Sequence, residues 1–507
     1  MNNEIANDFR YKWWALFGLS LLAFTAFLDF TIVSTAIPFI QKAFNTPIAQ
    51  LQWVTGIYGM LMSMTMIIIG RIGDIFGRRR IFYCGFILFA IAAIGAGASN
   101  NIEWLIFFRG LQGFSGATIF TQSVALLPLA FPQNEQERAI GVYSALTGFG
   151  LAIGPFLGGA LISLLSWRWI FWINIPVILV GIAFCSFSLK ESPKPKIMPK
   201  LDWAGFFLLT IGIGCLIYGL IHGSQFGWTI QTTWLNLLIG VIALLLLAFI
   251  EGKVSEPLLE LGLFKNKHAA LAALICIVAG MILFIFFSFF DALYLKIIRN
   301  QTALVVGLTL LTVPLMQVIL SLFLPKLLKI FGVMNFIVFG LFLAFVSSFL
   351  HIFIGDVSSF SYVLIALLLM GIAWGIGNTG AISAVSQSVP SDKVGGSIGT
   401  VFTLWNMAGA IFLAVGTVLF QYFEKLKMDS MLLTHNVALT AQQKKIVSTL
   451  LSDPERATSH LKNLVGPVAH DILVAFKAAF LSGYHAVGWM MTIATLITLV
   501  LGFMLRK

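Results

Sequence analysis

Fourteen long apolar runs leave this chain little choice of fold. They lie near 13–35, 52–70, 81–99, 104–130, 140–163, 169–189, 203–221, 234–250, 269–295, 303–325, 334–354, 360–385, 396–423 and 481–505. Each suits a helix of ~20 residues crossing a bilayer. No water bonds the peptide groups inside hydrocarbon, so a spanning segment must satisfy its own backbone as a helix or close into a barrel. The alternating strands of ~10 residues that a barrel needs are nowhere in the sequence. Composition agrees, with 59% hydrophobic and 10% charged residues and a mean hydropathy of +0.97. The fold class that follows is an all-α multi-pass membrane protein. The polar start, MNNEIANDFRYKWW, enters the first span without a small-residue cleavage pattern and reads as an uncleaved first helix.

A net charge of +11 invites a nucleic-acid partner, and the distribution of that charge removes the idea. With the N-terminus inside, nineteen Lys and Arg fall in cytoplasmic segments and four (Lys42, Arg168, Lys296, Arg299) in short outer loops. Seven more lie in the segment after the thirteenth span, and Arg109 lies within the fourth. Short loops follow the positive-inside bias and long ones escape it. The basic balance therefore sets orientation: both termini cytoplasmic, in a plasma membrane (in bacteria, the inner membrane). Cys84, Cys185, Cys215 and Cys276 sit singly in apolar runs and read as free buried thiols, not disulfides or metal ligands.

One turn stands out. Gly70–Arg80, GRIGDIFGRRR, joins two spans and holds four arginines around a single acid, Asp74. Gly70, Gly73 and Gly77 remove side chains where two helix ends come close. At an offset of 255 residues, Pro325–Gly340 repeats its outline: Arg71 meets Lys326, Ile75-Phe76-Gly77 meets Ile330-Phe331-Gly332, and Gly85 meets Gly340. The second copy has Lys329 in place of Asp74 and lacks the arginine triplet. A weak repeat across two hydrophobic halves is how many transporters are built. Six spans need only ~120–200 residues, so the seventh and eighth look inserted between halves. The expected division is 1–189, a linker plus two spans at 190–267, and 268–507 with a long outer loop near 425–480.

Polar residues inside spans mark functional candidates, because they are costly there unless paired or wet. Asp29 lies mid-span in Leu28–Pro38, and Arg109 opens Arg109–Ala117, RGLQGFSGA, with Gln112 and Gly113 on its face. Snorkelling of Arg109 to the outer surface is the plain alternative. Gly150, Gly154 and Gly158 recur every four residues and bare one face of the fifth span, while Pro155 withdraws a backbone donor. Met60, Met62, Met64 and Met66 alternate, which fits packing better than a binding stripe. Trp167–Pro176 reads as an interfacial aromatic cluster. In the ninth span Asp291 stands among phenylalanines, on the face of Phe287 and Tyr294. Such a site suits a lipophilic cation or a bound proton; the plain alternative is a boundary charge paired with Lys296 or Arg299. Gln112, Phe287, Tyr294, Asn378 and Asn406 are candidate cavity residues, the two asparagines serving equally as interhelical hydrogen bonders. Phe476–Trp489 is expected at the interface before the last span.

With these residues placed, the chain resembles the fourteen-helix drug:proton antiporters of the major facilitator superfamily (EmrB/QacA-type) over essentially its whole length. The resemblance rests on Gly70–Arg80, Leu28–Pro38, Arg109–Ala117, Gly148–Gly159 and Trp167–Pro176, five motifs in the right order. It implies proton-driven export by alternating access. Carried over by position, Gly70, Gly73, Asp74, Gly77, Arg78 and Arg79 would form a cytoplasmic gate. Arg109 would serve proton coupling with Asp29 near the path, and Gly150, Gly154, Pro155 and Gly158 would seal the fifth span. Lys296 stands where relatives often carry glutamine, and Asp291 in a stretch usually uncharged.

The expected function is export of amphipathic, cationic or lipophilic organic compounds, multidrug-efflux type. Export of an endogenous metabolite such as a siderophore is the alternative within the fold, and a non-transporting membrane sensor the alternative outside it. An enzyme would want paired acids or a His cluster, and the seven histidines are scattered. A channel would want rings of like charge. Expected partners are the small-molecule substrate, protons and membrane lipid, with a periplasmic adaptor and outer-membrane channel left open; no cofactor, metal or nucleic acid is expected.

Overall fold

The computed structural model describes residues 9–132, 135–189, 191, 202–254, 259, 261–380, 384–385, 394–434 and 468–506. Secondary structure among them is helical. The elements are α1 (Phe9–Phe44), α2 (Ile48–Phe76), α3 (Arg78–Ala98), α4 (Ile102–Leu126) and α5 (Gln136–Leu164). Then come α6 (Trp169–Ser188, turning at Ile173), α7 (Trp203–Phe226), α8 (Gln231–Glu251) and α9 (Lys267–Ile298). The last are α10 (Ala303–Phe331), α11 (Val333–His351), α12 (Phe360–Gly375), α13 (Val394–Thr434) and α14 (Val468–Arg506).

Eleven of these helices are long and apolar enough to cross a membrane, or twelve with α2, which bends by 50° near Ile68. The fourteen expected spans reduce to that number on apolarity alone. α4 falls short because it carries Arg109, Gln112 and Gln122, and α12 because its helix is only 16 residues. α13 and α14 run well past the expected span ends, and the expected outer loop lies mostly outside the described residues. The Pro/Lys linker at 190–201 also lies outside them, apart from Glu191. Within Phe476–Trp489, Phe476, Phe480 and Tyr484 are buried against other helices, while Trp489 is exposed.

The 255-residue repeat survives in the backbone. Gly77 ends α2 with φ +104° and Gly332 ends α10 with φ +73°. Asn45, between α1 and α2, and Asn300, between α9 and α10, both take φ near +50°, where asparagine is tolerated better than most residues. Interior contacts repeat as well: Gly116 faces Tyr58 and Gly371 faces Val313, each pair 255 apart.

Two seams join the repeats. Along one, Gly159 of α5 lies against Ala303, and Gly307 of α10 against the carbonyl of Pro155. Along the other, α2 and α13 meet, and α7–α8 covers their line of contact: Met60, Met64 and Ile68 pack with Leu209, Ile213, Leu247, Ala410 and Ala414. α9 is central, with 83% of its most apolar window buried against 22% for α8. Leu238, Leu245 and Phe249 of α8 are exposed, an apolar face that belongs in lipid. The thiols are free, though Cys84 is exposed on α3 and only Cys185 and Cys276 are buried.

Candidate functional site

Asp29 and Arg109 are brought together by α1 and α4, 0% and 1% exposed. A guanidinium donates to the carboxylate Oδ2 through Nη1, and Nε donates to the Val54 carbonyl at 2.9 Å. Nη1 also reaches Gln112 Oε1 at 3.0 Å. Gln112 Nε2 (3.0 Å) and Asn174 Nδ2 (2.8 Å) both donate to Asp29 Oδ1. Below the guanidinium, its Cζ is 4.4 Å from the Tyr58 ring centroid. This packing is possible because Gly113 lets the Tyr58 backbone come within reach of a missing Cβ. Burying two charges costs several kcal/mol each unless their hydrogen bonds are completed, and here four helices complete them. Arg109 therefore does not snorkel. The residue missed from sequence is Asn174: Trp167–Pro176 looks interfacial, yet its turn at Ile173 aims an amide at Asp29 and sets Phe171 5.8 Å from Arg109.

The turn after α2 binds its own surroundings. Arg78 Nε donates to Asp74 Oδ1 at 2.6 Å, and Arg78 Nη1 to the Ala125 carbonyl at the end of α4. Gly73 makes room for Gln122, whose amide donates to the Ile69 carbonyl at 2.8 Å. Glu191 Oε1 accepts from Arg79 N at 2.9 Å, close over Gly77. Among the described residues, nothing stands within 4 Å of a Cβ on Gly70.

On α5 the bare face presses on α1. Gly150 meets Phe24, Gly154 meets Thr31 and Ile32, and Gly158 meets Thr35 and Ile32. Pro155 has no N–H to offer Leu151, and the Thr31 hydroxyl donates to that Leu151 carbonyl at 3.0 Å. The proline's orphan acceptor thus becomes a tie between two helices.

Between the repeats lies a cleft of about 530 Å³, part of it open to solvent. Phe27, Phe30, Met62, Phe120, Trp374 and Trp405 line it, with Asn406 as a polar point. Of the expected cavity residues, Asn406 lines this cleft. Phe287 stands behind Trp374, ring centroids 6.2 Å apart, and Gln112 belongs to the Asp29 cluster. Tyr294 is buried and donates to the Gly355 carbonyl at 2.8 Å; the side chain of Asn378 lies outside the described residues. Phe30 links cleft and ion pair, its ring 5.9 Å from Tyr58.

Asp291 is 3% exposed and does not pair with Lys296 or Arg299. Its partners come from α14 and α11: Tyr484 donates to Oδ1 at 2.6 Å, and His351 Nε2 stands 3.5 Å from Oδ2. α9 is wound here with i→i+5 bonds, as from Asp291 N back to Phe286. It is Phe286, five residues before Asp291, that stacks on His351.

A family model described as Major Facilitator Superfamily matches residues 19–202 and 203–413. The chain is 31% identical to Multidrug resistance protein Stp of Mycobacterium tuberculosis (strain CDC 1551 / Oshkosh), over 79% of this chain and 74% of that one. It is 30% identical to the Tetracenomycin C resistance and export protein of Streptomyces glaucescens, over 61% of this chain and 57% of the relative. Among solved structures it is similar to a bacterial homolog of the human lysosomal transporter Spinster, inward-facing and occupied. The TM-score is 0.65 at 15% identity, covering 97% of each chain, a likeness of fold.

Proposed function

The chain belongs to the major facilitator superfamily, as a multi-pass membrane transporter and not an enzyme, and from that premise we propose that it exports amphipathic organic compounds in exchange for protons. The observation that carries this reading is the buried Asp29–Arg109 pair one ring away from an aromatic cleft. Relatives named for multidrug resistance and for tetracenomycin C resistance and export support the outward direction and a small-molecule cargo.

Asp29 is the proton site in this reading. A proton on its carboxyl cancels the charge that Arg109 answers, and the guanidinium then leans on Val54, Gln112 and the Tyr58 ring. Because that carboxylate gathers hydrogen bonds from α4 and α6 onto α1, its protonation weakens this polar tie while the apolar packing of α1 on α6, as at Gly18 and Gly181, stays. Phe30 passes the change to the cleft through Tyr58. Trp374 and Trp405 face a lipophilic or cationic cargo, for which ring faces are good partners. The working units are two halves, 1–189 and 268–507, rocking about the cleft with 190–267 as an inserted hairpin. Asp74 and Arg78 steady the cytoplasmic end, and Gly150, Gly154, Pro155 and Gly158 allow α5 to seal on α1. The termini are cytoplasmic and the membrane is the plasma membrane.

Fluorescent-dye uptake into inverted membrane vesicles tests this. Dye should accumulate when the vesicles are energised and leak out on adding a protonophore. Accumulation indifferent to the proton gradient would remove antiport from the reading.

A further inference from the structure

A second buried acid is left over from that mechanism. Asp291 is 3% exposed, while His351 and Tyr484 are fully buried. His351 Nδ1 is 2.7 Å from the Ser347 carbonyl, and a carbonyl only accepts, so Nδ1 carries a hydrogen. Nε2 then points at Asp291 Oδ2, 3.5 Å away, and neither atom has a hydrogen-bond partner. Tyr484 already donates to the other carboxylate oxygen at 2.6 Å. Phe286 stacks on the imidazole with centroids 4.0 Å apart and planes at 21°, fixing the ring that faces Oδ2.

The chemistry of that gap allows few states. A neutral imidazole protonated at Nδ1 offers only a lone pair at Nε2, and an ionised carboxylate offers only lone pairs at Oδ2. Facing each other in a buried site, they repel and leave a net buried charge. One proton between them removes both problems, whichever atom holds it. Other ionisable groups nearby do not supply the missing charge. Arg299 donates to the carbonyls of Asp356 and Ser358. Lys296 lies against Phe39 of α1, His485 Nε2 bonds the Ile354 carbonyl, and Tyr294 donates to Gly355.

We propose that His351 and Asp291 form a second proton-binding site, taking up and releasing one proton shared between Nε2 and Oδ2. On uptake a proton from water adds to the pair. On release it returns to water, leaving a carboxylate held by Tyr484 and a neutral imidazole held by Ser347. The pair ties α9 to α11 while Tyr484 ties α9 to α14, so losing the proton loosens the first tie and spares the second. The use of this proton in transport rests on the export reading; its binding does not.

Two measurements separate these. The full-length protein, labelled with ¹⁵N in its histidines and held in lipid nanodiscs, gives imidazole signals that His351→Gln assigns. The wild type should show Nδ1 protonated and Nε2 sharing a proton. Asp291→Asn should shift Nε2 to the position of an ordinary neutral imidazole, and Tyr484→Phe, which keeps both members, should move it less. An Nε2 signal unchanged by Asp291→Asn overturns the site, whether or not the protein transports. In proteoliposomes, His351→Gln should lose gradient-driven dye flux by about tenfold or more while dye exchange without a gradient continues. Gradient-driven flux at the wild-type rate in that variant would strip the site of any part in coupling.

Discussion

Arg109 makes bonds in three directions at once, to Val54, Asp29 and Gln112, with its plane lying over Tyr58. A lysine has one nitrogen and no plane, so it cannot hold that set together. Arg109→Lys should insert at normal levels yet lose gradient-driven flux by roughly 10²-fold, the scale of a misplaced acid–base group. Arg109→Ala strands Asp29 as a buried charge and should cost roughly 3–5 kcal/mol, visible as a fall in thermal unfolding temperature. Wild-type flux in Arg109→Lys would show that charge alone matters. Asp29, Arg109 and Gln112 were legible in the sequence because a charge inside a span demands an explanation. Asn174, His351 and Tyr484 were not, since each partner lies far away in the chain. Asn174 sits in an aromatic cluster that mimics an interface, and His351 and Tyr484 stand close to expected span ends.

At the scale of elements, the turns carried the clearest message. Gly77 and Gly332 occupy equivalent places with φ of +104° and +73°, so any side chain at either is strained by roughly 1–3 kcal/mol. Their surroundings differ: a Cβ at Gly77 would come 2.8 Å from the Glu191 carboxylate, whereas among the described residues nothing lies within 4 Å at Gly332. Gly77→Ala should therefore lower the unfolding temperature more than Gly332→Ala, and mutating Glu191→Ala alongside should narrow the gap. Equal losses would mean that the backbone strain is the whole effect. The winding of α9 was illegible, because reading faces from sequence assumes 3.6 residues per turn. With i→i+5 bonds over Leu283–Phe290, Phe286 joins the Asp291 cluster and Phe287 turns to Trp374.

For the whole molecule, the offset of 255 residues proved to be an architectural constant, placing Asn45 with Asn300 and Gly77 with Gly332. Six spans need fewer residues than that offset, and in the proposed two-halves arrangement α7–α8 accounts for the surplus. The sequence could not say where this hairpin packs, since its apolar faces fit lipid and protein alike. In the fold it lies along the α2–α13 seam, where relative motion of the halves would slide α2 and α13 beneath it. The orientation proposed from the basic loops is made testable by the helix order. The turn after α8 and the turn between α11 and α12 are separated by three helices, α9, α10 and α11, an odd number of crossings. Lys253 is exposed in the first, and Val357 is 90% exposed in the second. In a background with the four cysteines replaced, Lys253→Cys should react with an impermeant maleimide only after the membrane is opened, and Val357→Cys in intact cells. The reverse pattern would invert the positive-inside assignment. Reaction of both in intact cells would mean that α9–α11 do not make three crossings, and the two-halves arrangement would fall with them.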